Sequence, residues 1–155
     1  MRQVWEVVDF IRSARARLRF GALSRAPLQI LRLEWKRVSV ELDWLARSAD
    51  PWDRDIGSCT QARHASAQAL EDALNVRALL LGSFPDVKCA KLRVFRLASH
   101  GPPELIILGT VSPEPQLRWE VSSLAMRAKL SGFQFSLEDG VLATLQDEEW
   151  ATSSS

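Results

Sequence analysis

Apolar and polar positions alternate along this chain with two periods, and the change of period marks out its elements. In residues 3–19, Val4, Val7, Val8, Ile11, Ala14 and Leu18 recur at helical spacing, with Trp5 and Phe10 widening the stripe and Gly21 as a stop. From Pro27 the period becomes two: Leu31, Leu33 and Trp35 alternate with Arg32, Glu34 and Lys36, then Val38, Val40, Leu42 and Trp44 alternate with Ser39, Glu41 and Asp43. This predicts an antiparallel hairpin. A two-residue connection at Lys36-Arg37 sets Leu31 opposite Leu42, Leu33 opposite Val40 and Trp35 opposite Val38, although Lys-Arg is poor chemistry for a tight turn. Residues 47–60 read as a loop. A second helix is expected over about 61–81, capped by Ser58 or Thr60, striped by Ala65, Ala69, Leu70, Ala73, Leu74, Val76 and Leu80, and stopped by Gly82 and Pro85.

Strands at 87–97 and 105–111 flank the turn Ser99-His100-Gly101-Pro102-Pro103, and the doubly apolar run Leu105–Leu108 predicts a central strand. A third helix is expected from about Pro115 to Leu130, closed by Gly132. Phe133, Phe135 and Leu137 then alternate as a last strand before the turn Glu138-Asp139-Gly140, and periodicity does not decide between strand and short helix for Val141–Leu145. The order helix–strand–strand–helix–strand–strand–helix–strand predicts an α+β fold: a largely antiparallel mixed sheet of about five strands with three helices. The expectation is a single domain over residues 1–150. It comprises an N-terminal helix and hairpin (1–46), a loop (47–60) and a second half (61–137), with a disordered tail at 151–155.

From residue 61 to 137 the order helix–strand–strand–helix–strand resembles the BON domain. The carrying words are Leu105-Ile-Ile-Leu-Gly-Thr-Val-Ser112, similar to that family's second strand with its glycine, and Ser131-Gly-Phe-Gln-Phe135, similar to its glycine-led final strand. The resemblance covers about half the chain and implies association with phospholipid membranes or envelope assemblies. It assigns only Gly109 a role, a structural one. On physical grounds alone, a glycine inside a strand marks a bulge or the close approach of another element.

Composition changes this picture little. The chain has 155 residues, 46% of them hydrophobic and 25% charged, which fits an ordinary globular protein. The net charge of +1 conceals an asymmetry, because six Arg in residues 1–25 face only Glu6 and Asp9, while residues 133–155 carry five carboxylates and no Lys or Arg. A balanced total argues against nucleic acid as a partner. Without an apolar run of about 18 residues or a signal core, the expected location is cytoplasmic, with peripheral membrane contact as a variant. Cys59 and Cys89 are then expected to be reduced, Cys89 as a buried strand thiol.

No phosphate loop, nucleophile elbow or zinc spacing is present, so no catalytic residue, metal or cofactor is expected. The chain reads as a non-enzymatic binding or assembly module that associates with a protein partner or with itself. Its expected surfaces are the first helix (Trp5, Phe10, Arg12, Arg15 and Arg19) and the loop bearing Asp50, Trp52, Asp53 and Asp55. Trp and Phe beside Arg on one helix also suit a phospholipid surface, the first alternative. The second is a small hydrolase or ligand-binding enzyme using His64 with Asp53 or Asp55.

Overall fold

A computed structural model describes residues 8, 10, 12, 29–47, 57–98, 100–113 and 123–145. Among these the elements are β1 (Gln29–Trp35), β2 (Ser39–Leu45), α1 (Ser58–Ser83), β3 (Cys89–Arg96), β4 (Glu104–Val111), α2 (Leu124–Leu130), β5 (Phe133–Gln134), β6 (Leu137–Glu138) and β7 (Val141–Leu142). The fold is α+β. Two helices have bounds among the described residues, where three are expected. Of the first expected helix only Val8, Phe10 and Arg12 are described, and all three are helical. The last is described from Leu124, since residues 114–122 lie outside the described set.

Five strands form one sheet in the order β1-β2-β3-β4-β5, while β6 and β7 pair separately. The sheet is mixed because β2 and β3 are parallel. The reason is α1: its 26 residues span about 39 Å, long enough to carry the chain back to the end where β2 began. The remaining pairs in the sheet are antiparallel. Val40, Leu42 and Trp44 of β2, Ala90, Leu92 and Val94 of β3, and Ile107 and Val111 of β4 turn one face into the core, against Ala69, Ala73, Val76 and Leu80 of α1.

The β1–β2 hairpin is slipped by two residues from the expected register. Leu33 faces Leu42 and Trp35 faces Val40, with Arg37-Val38 at the tip and the Lys36 N–H donating to the Ser39 carbonyl at 2.8 Å. A slip of two keeps every side chain on its face, so the apolar pattern permits both registers and the turn chooses. A bulge between Ile30 and Arg32 absorbs Leu31, which is exposed instead of facing Leu42.

Four other expectations are corrected. Helix α1 has Gly57 at its N-cap, where Ser58 or Thr60 is expected, and runs through Gly82 to Ser83, with Phe84 as its C-cap. Pro85 is the stop, holding Phe84 extended at φ −128° and ψ 86°. Cys89 opens β3 and is exposed, as is Cys59, so neither thiol is a core group. The Phe133–Leu137 alternation is divided: Phe133 joins the large sheet, while Leu137 enters the β6–β7 hairpin. That hairpin closes on Asp139 (φ 53°) and Gly140 (φ 81°), the positive-φ pair of a tight primed turn, which settles Val141–Leu142 as strand. It is tied to α1 by Leu142 N–H donating to Ser66 Oγ at 2.9 Å and Arg63 Nε donating to the Asp139 carbonyl at 2.8 Å.

Gly109 is a site of close approach. A Cβ there would lie 2.5 Å from Cδ1 of Phe133, whose ring crosses β4 and is buried. Gly109→Ala is therefore expected to destabilise by about 1–3 kcal/mol in urea denaturation. Gly82→Ala, with open space around its Cβ inside α1, is expected to stabilise by about 0.5–1 kcal/mol. Equal effects at the two glycines would refute this account of Gly109.

Candidate functional site

Two groups of charged residues lie outside the expected surfaces, and their exposure separates them. The first is sealed. Ala46 N–H donates to the Phe95 carbonyl at 2.7 Å, extending β2 by one residue and aiming Arg47 at α1. There Arg47 Nε lies 3.0 Å from Asp72 Oδ2, and Gln68 Nε2, one helical turn before Asp72, donates to Oδ1 at 2.9 Å. The Arg47 and Asp72 side chains have essentially no exposed area. Burial pushes the Asp72 carboxyl up to about 6, against the pull of the Arg47 charge and the Gln68 hydrogen bond.

The second group grades from buried at Asp43 and Arg93 to exposed at Arg32 and Glu34. On the sheet face turned away from α1, β1 contributes Arg32 and Glu34, β2 Asp43 and Glu41, and β3 Arg93 and Lys91. Register places them in two rows, Arg32–Asp43–Arg93 and Glu34–Glu41–Lys91. In the first row Arg93 Nε donates to Asp43 Oδ1 at 2.8 Å, and both side chains are largely buried. In the second, Glu34 faces Glu41, a like pair that is unfavourable by itself. Arg32 Nη2 bridges them, contacting Glu34 Oε2 and lying 3.1 Å from Glu41 Oε2. Burial raises the Glu41 carboxyl, but hydrogen bonds with Arg32 and Glu34 and the charges of Arg32 and Lys36 outweigh it and leave Glu41 below its usual range.

No family model, curated protein or solved structure matches the chain. The site therefore rests on its own geometry.

Phe10 is fully buried, its ring tilted against Trp35 at 6.0 Å and edge-on to Phe84 at 6.1 Å. This corrects its expected surface role, because it has no area to offer a membrane or a partner. Arg12 is exposed, and Trp5, Arg15 and Arg19 lie outside the described residues. So do Asp50, Trp52, Asp53 and Asp55, and with them the partners suggested for half-buried His64. Among the described residues no cluster of His, Cys, Asp and Glu could hold a metal ion, and no helix is long and apolar enough to cross a membrane.

Sequence reasoning missed both charged groups, for different reasons. The ladder residues sit at the polar positions of the two-residue period, but neighbours across strands follow only from the slipped β1–β2 register and the parallel β2–β3 register. Gln68 and Asp72 carried a signal: two polar residues four apart, inside the span of the apolar stripe.

Proposed function

We propose that the chain is a binding or assembly module whose working surface is the β1 side of the charged sheet face. The supporting observation is the exposure of this edge. Leu31 is 44% exposed beside Arg32 and Glu34 on β1, the strand that ends the sheet among the described residues, and Val38 at the tip of the β1–β2 hairpin is 52% exposed. Apolar area beside ordered charge of both signs is the composition of a recognition surface. Arg47, Gln68 and Asp72 are sealed from solvent, which supports a structural role for them. The BON-like words in residues 105–112 and 131–135 imply envelope assembly as one of two roles, the other being association with phospholipid. The phospholipid reading of the first helix draws no support from Phe10.

A photo-activatable side chain at position 31 or 38 of the full chain tests this reading. Adducts are expected from both positions in living cells, and none from position 100, an exposed turn on another part of the chain. Equal labelling at all three positions, or none at 31 and 38, would overturn it.

A further inference from the structure

We propose that β1 pairs antiparallel with β1 of a second copy, Leu33 against Leu33, so that Arg32 of each copy meets Glu34 of the other. This inference rests on the module reading and names its partner.

The pairing follows from three features of β1. The first is hydrogen-bond phase. Lys36 N–H bonds back to Ser39, so along the strand the backbone groups of Lys36, Glu34 and Arg32 face β2. Those of Leu33 and Trp35 therefore face outward, on the side where the described residues place no strand. A two-fold axis beside Leu33 lets the two Leu33 residues exchange both N–H···O=C bonds, as an isologous interface requires.

The second feature is charge. With Leu33 opposite Leu33, Arg32 stands directly opposite Glu34 of the second copy, twice by symmetry. Moving the register by two residues in one direction sets Arg32 against Arg32. Moving it by two in the other sets Glu34 against Glu34. Charges on an edge strand deter indiscriminate pairing, and their order here permits this register while opposing its neighbours. Glu34 also has reason to take a second arginine, since its partner across β2 is the like-charged Glu41.

The third feature is exposure. Arg32 and Glu34 are each more than two-fifths exposed, so both are accessible to a second chain.

Sedimentation of the full chain over a wide concentration range, at low and high salt, tests the pairing. The expected result is a species of twice the 17.4 kDa monomer mass, weakened by salt. Glu34→Lys is expected to weaken association about tenfold or more, by setting Lys against Arg32 across the axis. The substitution also removes the contacts of Glu34 with Arg32 and Lys36 in its own chain, so the variant counts only if it is folded. Mixing Glu34→Lys with Arg32→Glu is expected to restore the dimer as a heteropair, both being checked as folded by circular dichroism. A wild-type monomer at every concentration, or a Glu34→Lys dimer as tight as wild type, overturns the proposal. The absence of a heteropair between folded variants does the same. A monomer whose position-31 label captures another protein overturns self-pairing and leaves the module reading standing, whereas one that captures nothing overturns both.

Discussion

Replacing Arg47 by methionine is expected to destabilise the protein by about 3–5 kcal/mol at pH 8, because the buried Asp72 carboxylate then has no cation beside it. The pH dependence carries the stronger signature. Asp72 titrates near 6 in the folded chain against an ordinary 3.8, so the folded state holds its proton more tightly. The resulting stabilisation is fully present below about 3.8 and is lost as pH rises through 6. Roughly 3 kcal/mol disappears over that window. Glu41 and Glu104, both held below their ordinary range, act in the opposite direction and lose their contribution as pH falls. Removing Arg47 takes away the one charge that lowers Asp72, so Arg47→Met should recover stability between pH 8 and pH 5 more steeply than wild type. Arg47→Met/Asp72→Leu should restore most of the loss at pH 8, since an apolar pair needs no desolvation of charge. Chemical denaturation at several pH values measures all of this, and an Arg47→Met within about 0.5 kcal/mol of wild type would refute it.

Phe10→Ala is expected to destabilise by a similar amount, about 3–5 kcal/mol, by opening a cavity between Trp35 and Phe84. Trp35 and Phe84 are themselves in edge contact at 5.2 Å, so three rings close that end of the core. Arg12→Ala, on an exposed residue of the same helical stretch, should change stability by no more than about 0.5 kcal/mol. Guanidinium denaturation of the pair decides whether this stretch belongs to the fold. Equal, small effects would return Phe10 to the surface, with the phospholipid reading behind it.

The contrast between Phe10 and the charge ladder explains how much was legible in the sequence. Periodicity located β1 to β4 and α1 because each buries one face, and one-face burial is what a period records. It put Trp35 and Trp44 on the apolar side of their strands, where both are buried, and marked Gly109 as a bulge or a close approach, of which Phe133 supplies the second. It did not locate quantities that leave the period unchanged. A two-residue slip preserves every face, so the β1–β2 register was beyond it. The parallel sense of β2 and β3 also leaves no periodic trace, although a long helix between two hairpins implies a crossover. Gly82 misled because a glycine inside a helix is tolerated at modest cost, whereas Pro85 cannot be passed. Arg32, Glu34, Glu41, Asp43, Lys91 and Arg93 were visible one by one as polar positions. Their arrangement as a surface depends on which strand lies beside which.

The parallel seam also orders events in time. The β1–β2 and β3–β4 hairpins each form from neighbouring residues, on the microsecond scale of local chain encounters. Joining them requires closure of a long stretch of chain, as the Asp43–Arg93 pair spans 50 residues of sequence. The chain must surrender the entropy of that loop before any seam contact rewards it. Until the seam closes, each hairpin carries an unpaired flank on β2 or β3, strands that bury Val40, Leu42, Trp44, Leu92 and Val94 in the finished fold. The barrier to folding and the window for misassembly therefore fall at the same place, and α1 guards it by holding the two halves within reach.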